Sequence, residues 1–355
     1  MTQIIWKVQK LDLGIASVRI RTLEPAMLLR ERGHAIHITA SCPDSKEIGS
    51  ADVVIVNKSY SDADVKLCQD ARAMNKRLLV DFCVDLSEES RSSELQSFRK
   101  QAQLANRLVT TGPELASRVK MWLGEDVPIE TIPDIAEDMT LLDRVASSYP
   151  PTTFKQGARI YKPSGLASFA GWATRIERPY LKNRRRLVWF GNAGGAGSGA
   201  GLETLEEIAG HLEAVNRTVP IQLVVVTRGY NEFRRVTKPF GFPCLYREWS
   251  LLGAPGIISE CEVCILPNHP TDFARARSSN RCLLALNCGV PVVATSIPSI
   301  QPLSDCIVLD DWKEGILKYL TDKEHSLRHV TRGQDFAKTV YGPSAIANAW
   351  ERLLT

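Results

Sequence analysis

Residues 260–299, ECEVCILPNHPTDFARARSSNRCLLALNCGVPVVATSIPS, read as a buried strand, a polar loop, a helix, a glycine turn and a second buried strand. Val263 to Leu266 make a short apolar run stopped by Pro267, the pattern of a strand covered on both faces. Residues 280–287 then carry Cys282, Leu283, Leu284, Ala285 and Leu286, and Gly289 is placed to end that helix. Residues 290–295 form the next β-branched strand. The loop ahead of the helix holds Arg275, Arg277, Ser278 and Ser279, and the helix opens on Asn280 and Arg281. Backbone N–H groups at a helix start, hydroxyls and guanidinium groups gathered in one place are what holds a phosphate or diphosphate.

Outward from this stretch, the 355 residues allow two ordinary domains, each with its own core. A hydrophobic content of 44% and a charged content of 24% are those of a soluble globular chain. No apolar stretch is long enough to span a bilayer and the first residues, MTQIIWKVQK, lack a signal-peptide pattern, so a cytoplasmic protein is expected. The nine cysteines include one C-x-x-C spacing, Cys261 with Cys264 in an apolar run, but no second such pair, so no structural metal or other bound cofactor is expected. Cys83, Cys261, Cys264, Cys282 and Cys288 sit among apolar neighbours and read as small core residues in a reducing compartment. The net charge of +4 permits anionic substrates without arguing for nucleic acid.

The first half alternates strands and helices. Strands are predicted at residues 4–8, 35–39, 53–57, 77–82, 107–111 and 129–132, and helices at 18–32, 62–74, 90–104 and 113–123. Such strand–helix–strand units with short connections imply a parallel, doubly wound α/β sheet. The pattern weakens from about 136 to 186, where Pro150-Pro151, Pro163 and the basic run 182–186 suggest a linker or accessory segment. Alternation resumes with a strand at 187–190, a glycine turn, a helix at about 201–216 and strands at 221–227 and 244–246. A last helix at 343–354 places Trp350 and Leu353 on one face. The expected organisation is a first domain at 1–150, a linker at 151–186, a second domain at 187–335 and a returning segment at 336–355.

The run NCGVPVVAT, with the strand and helix before it, resembles the nucleotide-sugar half of GT-B glycosyltransferases, especially the large retaining family called family 4. Gly289 to Thr295 match the G-x-P-V-V-A-T pattern of that family in full. The family's two glutamates, spaced Glu-x7-Glu around the helix start, fall on Ala276 and Leu284, so neither is present. The Ser279-Asn280-Arg281 run is similar to a sub-branch that opens this helix with a Ser/Lys-Asn-Arg turn. The resemblance implies two Rossmann-like domains facing a cleft, with a C-terminal helix crossing back to the first. It implies a nucleotide-sugar donor, a glycan, lipid-linked or other hydroxyl acceptor, and transfer with retention and without a metal.

The remaining candidates follow from that frame. Gly191, Asn192 and Gly194 belong to a turn between a buried strand and a helix, where glycines let backbone amides approach an anion. GNAGG has neither Rossmann nor P-loop spacing; by position it resembles the glycine loop facing the donor in GT-B enzymes. Arg228 ends a strand, where ligands bind in open α/β sheets, and with Lys238 it resembles the Arg and Lys that hold the donor diphosphate. Trp249 lies where the family places the nucleobase. In the first domain, Ser17, Arg19 and Arg21 resemble an Ala/Gly-Ser-x-Arg-x-Arg pattern that faces the cleft and the acceptor. Asp85 and Asp81, in VDFCVD, resemble an acidic run whose carboxylates accept a proton from the acceptor hydroxyl or orient the sugar; turn formation or helix capping is the plainer role of such residues.

Three alternatives stay open at this level. A non-catalytic GT-B partner is favoured by the loss of both motif glutamates. A nucleotide-sugar epimerase is disfavoured by a chain with only six histidines. A nucleic-acid acceptor rests on the basic run 182–186 and is the least favoured, since charge runs are usually solvated faces. Peripheral contact with the inner membrane face is compatible with the family, although no strong amphipathic anchor is visible.

Overall fold

A computed structural model of the chain describes residues 1–86, 91–137, 139–148, 183–194, 201–269 and 271–354. Most of the expected linker, and Gly195 of the glycine turn, lie outside the described residues. The chain divides into two compact units: residues 1–155, 276–278 and 338–355 form the first, and 156–275 with 279–337 form the second.

The first unit holds a parallel sheet of β1 (Gln3–Val8), β2 (Ala35–Thr39), β3 (Val53–Asn57), β4 (Arg77–Phe82), β5 (Arg107–Thr110) and β6 (Ile129–Thr131) in the order β2-β1-β3-β4-β5-β6. The second holds β7 (Arg185–Phe190), β8 (Ile221–Thr227), β9 (Cys244–Glu248), β10 (Val263–Leu266), β11 (Val292–Ala294) and β12 (Val308–Leu309), also parallel, in the order β12-β11-β10-β7-β8-β9. Every residue of β3 and β8 is buried, which explains their near-continuous Val and Ile runs. Helices cover both faces of a parallel sheet, so no face needs polar side chains.

Two local departures from the sequence reading have clear causes. The expected helix at 18–32 is three pieces: Ala16–Val18, a π-helical turn Arg19–Leu23 and an α-helix Glu24–Glu31. Pro25 has no N–H to give the carbonyl of Arg21, and the Glu24 N–H instead reaches Arg19, one residue further back than in an α-helix. The segment between β8 and β9 looks merely basic in sequence, yet it contains the helix Tyr230–Thr237, anchored by buried Phe233 and Val236.

Other helices escape the sequence reading altogether. Met139–Ser148 buries Leu141, Leu142 and Val145 where the alternation appeared to fade. Trp312–Thr321 and Lys323–Val340 fill the stretch before the last helix. That last helix, Pro343–Leu354, belongs to the first unit, where Trp350 meets Trp6 of β1 with ring centroids 4.8 Å apart. All nine cysteines are unbridged; Cys261, Cys264 and Cys282 are buried, whereas Cys83 and Cys288 are half-buried. Burial pushes the Cys282 thiol up to about 12, so it behaves as a small apolar group. Among the described residues no helix is long and apolar enough to cross a membrane.

Candidate functional site

In the second sheet, β7 is the first strand along the chain, and its two neighbours are β8 on one side and β10 on the other. The winding therefore reverses between β7 and β10, and the crevice beyond their carboxyl ends is where open α/β sheets bind ligands. Hydrogen bonds lace the strand ends together there. The Thr227 hydroxyl donates to the Gly191 carbonyl at 2.8 Å, tying β8 to β7. Arg281 donates from Nη1 to the Phe190 carbonyl at 3.4 Å and from Nη2 to the Asn268 side-chain oxygen at 3.0 Å, tying β7 to β10. The Asn268 N–H donates to the Thr295 hydroxyl at 2.9 Å, which extends the row to β11. Asn268 is buried and was missed in the sequence; only its place one residue past the strand-ending Pro267 would have marked it.

Gly191 and Gly229 are closely approached by neighbouring side chains. Gly191 leaves β7 with φ at +154°, and a Cβ there would lie 3.3 Å from Nη1 of Arg281. Gly229, at φ +140°, faces Ala193, whose Cβ would be only 2.7 Å from a Cβ at 229. Asn192 is exposed, and its side-chain oxygen accepts from the Gly194 N–H at 3.3 Å, which shapes the turn locally.

The helix Asn280–Asn287 begins at this row. Ser279 is its N-cap residue, and its hydroxyl makes no capping bond. The N–H groups of the first turn have no acceptor within the helix and point along its axis away from it. Arg275 and Ser279 to Arg281 belong to the second unit, whereas Arg277 and Ser278 belong to the first. Arg275 is exposed; Arg277 and Ser278 are half-buried.

Arg228 ends β8 exposed, with its guanidinium carbon 5.0 Å from the ring centroid of Trp249 and its Nε donating to the Trp249 carbonyl at 3.2 Å. The Trp249 N–H donates to Thr227 at 3.1 Å, so this half-buried ring is fixed at the end of β9 beside the same row. Lys238 follows the last residue of the helix Tyr230–Thr237, so a helix of about 12 Å lies between it and the turn that carries Arg228.

The first-unit candidates are engaged with neighbouring groups. Arg19 and Arg21 are buried, at 3% and 1% exposure. Arg19 donates to Glu137 at 2.6 Å and to the Leu13 carbonyl at 2.6 Å. Arg21 forks onto Asp81, donates to the Ile132 carbonyl and stands 3.5 Å from Asp134. Burial disfavours the Arg21 charge, but Asp81 and Asp134 outweigh it and hold the guanidinium above its ordinary pKa. Asp81 is fully enclosed and also accepts from Asn57. Asp85, equally buried, pairs with Arg118 at 3.1 Å. The π-helical turn causes this inward placement, since all five of its residues are buried. Ser17 differs: its hydroxyl is buried with no partner among the described residues.

No family model matches the chain. No curated protein matches it in sequence. Among solved structures the chain is similar to HepE of Anabaena in complex with UDP and glucose, at 10% identity and a TM-score of 0.65, over 100% of this chain and 99% of that one. It is similar to sucrose-phosphate synthase from Thermosynechococcus elongatus at 14% identity and a TM-score of 0.61, over 99% and 98% of the two chains. An α,α-trehalose-6-phosphate synthase from Burkholderia multivorans matches at 9% identity and a TM-score of 0.61, over 100% and 96%. Likeness of this extent at such low identity is a likeness of fold, and with its two parallel six-stranded sheets the chain has the GT-B fold.

Proposed function

We propose that the chain is a glycosyltransferase that takes its sugar from a nucleotide-sugar donor bound by the second unit. The observation that carries this is the row from Thr227 through Gly191 and Arg281 to Asn268, set at the winding reversal and at the start of a helix. A leaving nucleoside diphosphate develops negative charge, and the helix start with Arg281 and Arg228 supplies positive charge on the same side of the sheet. Trp249, stacked with Arg228, offers a flat wall for a base. HepE has been solved with UDP and with UDP-glucose, which supports uridine nucleotides as the first donor class to test. The acceptor in this reading is a hydroxyl of a glycan or lipid-linked molecule.

A second reading, a nucleotide-sugar-binding protein without transfer activity, is favoured by one observation. Asp81 and Asp85 are both buried and ion-paired, so neither is presented as a base for an acceptor. Thermal-shift screening against UDP-, GDP-, ADP-, CMP- and dTDP-sugars, followed by assay of nucleoside diphosphate release with candidate acceptors, tests both. Stabilisation by one nucleotide class with release supports transfer. Stabilisation without release on any acceptor favours the binding protein, and stabilisation by none contradicts the donor site itself.

A further inference from the structure

Among the described residues, three that are not glycine have positive φ: Lys58, Asn75 and Asp310. Asparagine and aspartate ease the left-handed region with short polar side chains that bond locally, which a lysine lacks. Lys58, at φ +45°, directly follows β3, so this strain sits at the carboxyl end of that strand. The first sheet reverses its winding between β1 and β3, because β1 has β2 on one side and β3 on the other. Carboxyl ends at such a reversal are where open α/β sheets take ligands. Bonds on either side of Lys58 fix its conformation. The Asn57 amide donates to Asp81, the Ser59 hydroxyl donates to Asp64 at 2.9 Å, and the Ser59 carbonyl accepts from Gln101 at 2.8 Å. Backbone strain that buried surroundings impose in this way gathers at functional sites.

Charge singles out the same residue. Both carboxylates bonded to its neighbours already have cations: Asp64 pairs with Lys7 at 3.0 Å, and Asp81 pairs with Arg21. Lys58 is half-buried, and among the described residues its ammonium makes no hydrogen bond or ion pair. The Cys83 thiol nearby, which burial pushes up to about 12, stays neutral and offers no counter-charge. We propose that the crevice at the ends of β1 and β3 binds a small ligand through an anionic group, a phosphate or a carboxylate, with Lys58 as its counter-charge. The ligand's identity as the sugar acceptor, and only that, rests on the proposed function; the acceptor is then an anionic sugar rather than a neutral one.

The test uses the full chain and two variants. Lys58→Asn removes the charge and suits a left-handed position, whereas Lys58→Arg keeps both charge and strain. Calorimetry with glucose 6-phosphate, glucuronate and glucose reads the site without any nucleotide. The wild type is expected to bind at least one of the two anionic sugars about tenfold or more tighter than glucose. A preference for glucose 6-phosphate assigns the site to phosphate and one for glucuronate to carboxylate, and either supports it. Lys58→Asn is expected to abolish the preference while melting about 1–3 °C above the wild type and binding UDP unchanged. Lys58→Arg is expected to keep most of the preference. A wild type that treats the three sugars alike, or a preference that survives in Lys58→Asn, overturns the inference. Loss of the preference in Lys58→Arg as well, or a Lys58→Asn that melts several degrees lower, marks a structural lysine and overturns it too. If the wild type binds UDP without any anionic preference, only this inference falls. If the preference holds but no nucleotide sugar binds, the proposed function falls and the anion site stands without the acceptor role.

Discussion

Arg21 and Asp81 form a fully enclosed ion pair in the first unit, with the Arg21 guanidinium also 5.6 Å from the ring centroid of Trp350. One pair thus joins the π-helical turn, the end of β4 and the last helix of the chain. Removing either partner leaves a buried charge without compensation, which costs about 3–5 kcal/mol. Asp81→Ala is therefore expected to lose that much stability in urea unfolding, and the double variant Arg21→Met, Asp81→Leu to recover most of it. Loss of sugar transfer by Asp81→Asn at unchanged stability would instead make the carboxylate catalytic.

Trp350 is fully buried against Trp6, at the junction of the first strand and the last helix. Trp350→Ala should destabilise the first unit by about 3–5 kcal/mol, the usual range for truncating a large buried aromatic. Denaturant unfolding followed by hydrogen exchange of β1 peptides reads this directly. A cost below about 1 kcal/mol would show that the helix adds little to that core.

Much of this architecture was legible in the sequence because buried parallel strands write themselves as β-branched runs. Residues 53–57 and 221–227 are continuous apolar stretches, and no helix pattern competes with them. The helix Asn280–Asn287 was legible for a similar reason, since Pro267 and Gly289 punctuate the sequence on either side of it. Side-chain direction was not. Arg19 and Arg21 lie two residues apart, so in a regular helix they would point about 200° apart, yet the wider π turn buries both. Asn268, Asn57 and Glu137 became visible only as partners, because one buried polar side chain has no periodicity to announce it.

His329 provides a pH dependence. Its Nδ1 lies 2.8 Å from the Tyr319 hydroxyl, and its ring centroid is 4.1 Å from that of His325. Burial, followed by His325, Lys318, Arg332 and Arg328, pushes it down from 6.5 to about 4. Between those two values the unfolded chain holds a proton that the folded chain does not, so stability falls as pH falls through this window. Each unit of pKa difference is worth at most about 1.4 kcal/mol, and partial exposure of the ring reduces that to a total of about 1–2 kcal/mol. Urea unfolding at several pH values across the window, on the wild type and His329→Gln, should show a shallower acid loss in the variant. Parallel curves would remove His329 from the account.

Arg228 and Trp249 are held to each other at the strand ends, and Arg228 is exposed. Trp249→Ala and Arg228→Ala should each change stability by no more than about 1 kcal/mol. Each should weaken nucleotide binding about tenfold, the scale of one stacking or charge-assisted contact. The two should also be less than additive in a double-mutant cycle, because the cation and the ring position one another. Full additivity in calorimetric titration would separate their roles.

Hydrogen exchange of the full chain with and without saturating UDP tests the central claim most directly. Slowed exchange concentrated in peptides that contain residues 189–194, 226–229 and 279–283 is the predicted result, because those backbones form the laced row and the helix start beside it. Protection confined to other peptides of either unit, or none despite measured binding, would contradict a donor site at the ends of β7, β8 and β10.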